Sequence, residues 1–398
     1  MGQIEAISHK LTGNGHTYYD SGNEFFEKTA SREKFKSNRF MELALGFSTA
    51  ISNREATRLL NRIRHESEGI SPTTFRNNIE REGQRIQKCI ETKCDGILVQ
   101  NGFSVDGDRC ESADFEPIEA KYIDSDKVDA AAAKLNIKKY IATDYESPDT
   151  SVNVSIDDVC VKRQTETRPR NDNVLQPKRV DNTVIHVQNN EGRYILNAAS
   201  LSGAMKLLIG FLLNNGILNQ QIVVFADGAR NIHSVVLATL GFVNYKIILD
   251  WYHLAKKCRE QLSMALRGSR IRNEFLEQLM PCLWFGNVDG AISLLSNIDP
   301  KKVKDHEKIT KLIEYFERVR DYVPCYALRK ELGLRNSSNQ GEKANDTVVA
   351  NRQKHNGMSW SDDGSIAFAS VSAASFNGEL SNWVLNRDFT FRLSQKAA

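Results

Sequence analysis

Asp157, Asp227 and Glu342 are three acids, far apart in the chain, whose contexts suit one site. SVNVSIDDVCV alternates apolar and polar residues, which reads as a strand with Asp157 at its end. QIVVFAD is a short apolar run that ends in Asp227, and Gly228 behind it allows a sharp turn. Ligands of open α/β sheets gather at the carboxyl ends of the strands. Two carboxylates on neighbouring strands repel and raise each other's pKa. A divalent cation removes that cost, and hard cations such as Mg2+ or Mn2+ prefer carboxylate oxygen. Two such ions about 3.5–4 Å apart suit phosphodiester transfer, since one activates the attacking oxygen and the other stabilises the leaving one. Two aspartates do not easily hold both ions, so a third acid is needed. Glu342 supplies it from the first turn of a helix read over residues 340–354.

Neighbouring residues compete for these roles. Strand alternation puts Asp157 on the face of Asn153 and Ser155, and Asp158 on that of Val154 and Ile156, so the polar cleft favours Asp157. Glu379, in SFNGELSNW, is an alternative third acid, though its polar surroundings equally suit a surface helix. Asp250 ends the apolar run YKIILD, with His253 three residues on. Asp250 reads as active-site support or as the N-cap of the following helix. His253 reads as support or as a buried, hydrogen-bonded histidine. Arg230, Lys343 and Arg352 lie near the acids and suit phosphate contacts or plain solvation. Trp251, Trp360 and Trp383 read as core, or as a platform for a splayed base.

Several elements must position these groups. Over 150–250 the pattern is three strands in a meander, then helix, strand, helix and strand. Asn190, Glu191 and Gly192 form a hairpin turn between the second and third strands, and Gly216 and Gly241 stop the two helices. Helical patterns alone follow over about 252–334. This is the order of an α/β, RNase H-like mixed sheet with a long helical insertion. Residues 96–149 form a connector with one helix-like run, DKVDAAAAKLNI, and no assignable chemistry.

Residues 1–95 read as a helical, helix-turn-helix-like region. Ser52 and Glu55 make a capping box before a helix with Ala56, Leu59, Leu60 and Ile63 on one face. Ser71 caps a second helix with Pro72 at its first position, and Gly83 reads as its end or interruption. As a recognition helix it would offer Thr73, Thr74, Arg76, Asn77 and Asn78 to a DNA major groove. An ordinary helical hairpin with a polar face gives the same pattern.

Three blocks, FADGARNI, ILDWYHLAKK and NQGEKANDTVVANRQKHNGMSWS, resemble those of mutator-type bacterial insertion-sequence transposases. The resemblance covers roughly residues 150–375, with a looser match in the N-terminal helices. It implies an RNase H-like core in which Asp157, Asp227 and Glu342 are the two aspartates and the glutamate of a catalytic, metal-binding triad, with a helical insertion before the glutamate. It places Asp250 and His253 near the active site. It further implies metal-dependent cleavage and strand transfer, with two Mg2+ or Mn2+ ions as cofactor. The DNA partners would be terminal inverted repeats and target DNA, held by a homo-oligomer. A nuclease on the same fold and a non-catalytic DNA binder descended from a transposase are the competing functions. A helical scaffold whose acids are caps explains less, because acids end both the first and fourth strands.

Composition sets wider bounds. The 398 residues are 40% hydrophobic and 26% charged, as in globular proteins that bury a sizeable core. A net charge of +3 does not by itself point to nucleic acid. Arginines cluster over residues 54–85, and Lys162, Arg163, Arg168, Arg170, Lys178 and Arg179 form a basic stretch that suits phosphate or solvent equally. Seven scattered cysteines, with no second pair near Cys89 and Cys94, suggest reduced thiols rather than zinc. No apolar run of spanning length and no leader core are read, so the expectation is a cytoplasmic, nucleoid-associated bacterial protein without a membrane partner.

Overall fold

The structure is a computed structural model that describes residues 10–13, 16–19, 38–64, 69–111, 113, 115–164, 177–354 and 358–394. Arg168 and Arg170 of the basic stretch, and the N-terminal residues read for a leader, lie outside the described residues.

Strands β1 (Lys10–Gly13) and β2 (His16–Tyr19) pair antiparallel. Helices α1 (Asn38–Ala50) and α2 (Asn53–Arg64) follow, and Glu55 N donates to Ser52 Oγ at 3.2 Å, half of the capping box. Helix α3 (Pro72–Gln100) starts under the Ser71 cap, whose side chain accepts from Thr74 N. Gly83 neither ends nor interrupts it, and 29 residues run through. A Cβ at Gly83 would overlap the backbone carbonyl of Ala367, so this glycine is a packing notch. Helix α4 (Ser125–Lys134) lies in the connector, at the run DKVDAAAAK.

The main sheet contains β3 (Ser151–Lys162), β4 (Arg179–Gln188) and β5 (Arg193–Ala198), then β6 (Gln221–Ala226) and β7 (Tyr245–Leu249). Helix α5 (Leu201–Asn214) connects β5 to β6, and α6 (Arg230–Leu240) connects β6 to β7. The spatial order is β5-β4-β3-β6-β7. The first three strands pair antiparallel, while β3–β6 and β6–β7 are parallel. The protein is thus mixed α/β with a five-stranded mixed sheet. Gly216 stops α5 with φ +64°, a conformation that side chains disfavour, whereas Gly241 stays in the ordinary helical region.

Strand alternation sorts the core. Val152, Val154, Ile156, Ile185, Ile222 and Val224 pack with α5 and α6 on one face. The other face is shared. At the β3–β4–β5 side, Val159, Val184 and Ile195 meet α1, α2 and α3 through Leu45, Leu60, Phe75 and Ile79. The helices before residue 101 therefore share their core with the sheet. At the β6–β7 side, Val223, Phe225 and Ile248 meet α7 (Trp251–Ala265), α8 (Ser269–Trp284), α9 (Val288–Ser296) and α10 (His306–Val319). Helix α11 (Tyr326–Glu331) closes this helical block. The chain returns through α12 (Asn339–Asn345), a π-helical stretch (Asp346–Ala350) and the turn Asn351–Gln353. It ends with α13 (Asp362–Phe376), which packs along α3, and α14 (Leu380–Asn386). No helix among the described residues is long and apolar enough to cross a membrane. All seven cysteines are free.

A buried ion pair ties the connector to α11. Arg329 donates to both Glu146 oxygens at 2.8 and 2.5 Å, and both side chains are almost wholly buried. Arg329 Nε also donates to Arg335 O at 3.0 Å. Removing one partner strands the other charge in low dielectric. Arg329→Met should lower unfolding free energy by about 3–5 kcal/mol in denaturant titration, and adding Glu146→Met should restore most of it. A loss from the single change below about 1 kcal/mol would mean that the pair is solvated in solution.

Candidate active site

The site forms where the sheet narrows. Ser155 of β3 is paired with Phe225 of β6 at the last position of their parallel ladder. Two residues on, β6 has ended, and the same register sets Asp227 level with Asp157. Strands lie about 4.8 Å apart, so the two carboxylates are neighbours. Asp157 does not end its own strand: β3 continues to Lys162 against β4. The strand that stops is β6, and the opening it leaves gives Asp157 its cleft.

Asp227 begins the turn into α6, accepting from Ala229 N at 3.0 Å. Gly228 is not in the left-handed region, so turning does not explain it. A Cβ there would sit 2.6 Å from the Tyr315 hydroxyl, while Arg318 Nη1 donates to Gly228 O at 2.8 Å. Helix α10 thus clamps the loop behind Asp227.

Glu342 arrives from the other side by two devices. The first is Asp250, fully buried at the end of β7. One of its oxygens accepts from His253 N at 2.8 Å and contacts His253 Nδ1 at 3.0 Å. The other accepts from Ser338 N, and from Ser338 Oγ at 2.9 Å. Burial pushes this carboxyl up, but the bonds from His253 and Ser338 outweigh it and hold it below its ordinary value. Asp250 is therefore both the N-cap of α7 and the anchor of the loop before α12. The second device is Gly341, where a Cβ would lie 2.7 Å from Ser155 Cβ. Its missing side chain lets α12 lie directly on β3.

These devices bring Glu342 Oε1 to 3.9 Å from His253 Nε2. The hydrogen bond to Asp250 is the largest effect on the His253 ring and raises its pKa; burial opposes it, and Asp157 and Glu342 reinforce it. Burial raises Glu342, with Asp250 and Asp346 adding and His253 opposing. The Asp157 carboxyl is pushed up to about 6, first by burial, then by the charges of Asp227, Asp158 and Glu342 against the opposing pull of His253. Asn345 Nδ2 donates to Asp157 Oδ2. Asp157, Asp227, Glu342 and His253 thus share one half-buried pocket of excess negative charge. Among the described residues, no three His, Cys, Asp or Glu side chains form a ready-made metal cage.

The other candidates fall elsewhere. Asp158 is exposed and accepts from Thr183 Oγ1 at 2.5 Å. Glu379 is buried and accepts from Thr390 N, Thr390 Oγ1 and Phe391 N at 3.0, 2.6 and 3.0 Å, so it holds the C-terminal segment. Arg352 is buried, donating to Ser48 O and Asn53 Oδ1 at 3.1 and 2.9 Å, which removes it as a phosphate contact. Arg230 and Lys343 are exposed beside Asp227 and Glu342. Thr73, Thr74, Arg76 and Asn77 are exposed on the first turns of α3, with Arg76 Nε 3.6 Å from Glu80. Trp360 and Trp383 are core, and Trp251 packs against Trp284 with ring centroids 4.7 Å apart. Sequence reasoning passed over Asn345 and Ser338. The spacing of Asn345, three residues after Glu342 on one helix face, was the available signal.

The chain belongs to the uncharacterised protein family UPF0236, which matches residues 181–386, just over half its length. No curated protein matches it. Among solved structures it is similar to the Drosophila P element transposase strand transfer complex, at 11% sequence identity and a TM-score of 0.29 over 94% of this chain and 88% of that chain. Likeness at that level says nothing of what this chain binds or does.

The charge crowding has a measurable sign. Asp157 titrates near 6 in the folded chain against an ordinary 3.8. Between these values the folded state holds a proton that the unfolded state has lost, so this group's contribution to stability rises as pH falls through about 6. In cation-free buffer, Asp157→Asn should be more stable than the parent by about 1–3 kcal/mol at pH 7.5, and the gap should close by about pH 4. Unfolding curves in which the variant is the less stable protein at pH 7.5 would refute the crowding.

Proposed function

We propose that this UPF0236 member is a metal-dependent DNA transposase that cleaves DNA at the ends of an insertion sequence and joins them to a target. The observation that carries this reading is the shared pocket of Asp157, Asp227 and Glu342, reached from β3, the end of β6 and the start of α12. The sheet order β5-β4-β3-β6-β7, with three antiparallel strands followed by two parallel ones, supports an RNase H-like assignment. So does the helical block between β7 and α12.

The donor set fits hard divalent cations. All three side chains are carboxylates, and Asp157 is held near 6 for want of opposing charge. Asp157, Asp227 and Glu342 would hold two Mg2+ or Mn2+ ions, which when bound supply charge stabilisation to the attacking and leaving oxygens of the phosphodiester. The chain's own residues do the rest. Asp250 fixes the His253 ring through Nδ1, and His253 Nε2 steadies Glu342 from 3.9 Å. Arg230 and Lys343 flank the acids and would take phosphate oxygens, which fixes the register of the DNA. On the same reading, Thr73, Thr74, Arg76 and Asn77 on α3 would meet the terminal inverted repeat. Two ends must be held at once, which calls for a homo-oligomer. No serine or tyrosine nucleophile is assigned, because water and then the freed 3′-hydroxyl serve as attacking groups.

A strand-transfer assay on the inverted-repeat ends flanking the coding region tests this. Asp227→Asn should lower joined product by more than about a hundredfold, the scale of losing one strong transition-state contact. Gel shift of the same DNA should be unchanged. Undiminished joining by Asp227→Asn would reject the assigned role. Nicking without any joining would leave a nuclease on this fold.

A further inference from the structure

Beyond the three acids, the pocket contains one neutral side chain in an unusual state. Asn345 is 4% exposed. Its amide nitrogen donates to Asp157 Oδ2, while its Oδ1 is buried with no hydrogen-bond partner. Leaving a buried acceptor unpaired costs about 1–3 kcal/mol. Its carboxylate neighbours across the pocket, Asp157 and Glu342, offer oxygens and not donors when ionised. Asn345 also sits one turn after Glu342, on the same face of the helix that Gly341 seats against β3. The regular α-helix gives way to a π-helical stretch immediately after it, at Asp346–Ala350.

We propose that Asn345 is a fourth oxygen donor of the cation site, presenting Oδ1 to a divalent cation or its bound water while its nitrogen fixes the Asp157 carboxylate. This inference rests on the reading of the acids as a cation site. The chemistry is economical. A fourth acid would deepen the repulsion that already raises Asp157, whereas an amide adds a hard oxygen without charge. The bond to Oδ2 also fixes the carboxylate, so that its other oxygen is oriented for the cation. Asn345 thus acts on the proposed reaction as a positioning residue.

Calorimetric titration of the full chain with Mn2+ at pH 7.5, paired with thermal melting in cation-free buffer, tests it. The parent should bind Mn2+. Asn345→Ala should weaken binding by about 10- to 100-fold, the scale on which groups that orient metal ligands act. Its cation-free melting temperature should match or exceed that of the parent, because the change removes a buried unpaired oxygen. Asn345→Asp, which keeps an oxygen in place, should bind within about tenfold of the parent. Parent-like affinity in a folded Asn345→Ala would overturn the role of Asn345 and leave the three acids standing. Weakened binding in both variants, with cation-free melting lowered in both, would make Asn345 a packing residue and overturn it too. A parent that binds no Mn2+ would remove the cation site itself, and this inference with it.

Discussion

The contact between Gly341 and Ser155 sets how near Glu342 can come to Asp157. A side chain at 341 would lie 2.7 Å from Ser155 Cβ, so any larger residue would push α12 off the strand. Because interiors pack densely, such a displacement cannot be absorbed locally. It would move Glu342 and Asn345 together, since both ride on that helix. The anchor at the other end is Asp250, whose two oxygens hold α7 and the loop before α12 at once. A sheet-end aspartate that coordinates nothing itself thereby determines where a distant glutamate lies.

Electrostatics and topology pull against each other here. The sheet sets Asp157 and Asp227 side by side, and α12 adds a third negative charge over them. His253 offsets part of this, but its proton is shared with Asp250. The buried Arg329–Glu146 pair binds the connector to the helical block and lies outside this pocket. The account therefore assigns the residual negative charge to divalent cations, and treats the surrounding helices as what keeps the acids from relaxing apart.

The main sheet was legible because its strands alternate or run apolar, and because Gly216 and Gly241 mark the helix ends. Asp157 was separated from Asp158 by parity alone, and the two do face apart: one meets Asn345, the other Thr183. What stayed hidden depends on contacts between remote segments. Gly83 looks like a helix break in sequence, but it is a notch for α13. Gly228 looks like a turn residue, but it clears Tyr315. Arg352 and Glu379 look like surface charges, but both are buried and fully engaged in joining segments more than ten residues away. A strand's true end depends on its partner as well: β3 runs past Asp157 because β4 continues beside it, which no local pattern encodes.

Mn2+-soaked crystals of the full chain, measured at the manganese absorption edge, test the central claim most directly. The account predicts anomalous peaks between Asp157 and Asp227 and beside Glu342, lost in crystals of Asp157→Asn. Manganese bound only elsewhere on the surface, with Glu342 turned away from both aspartates, would contradict it.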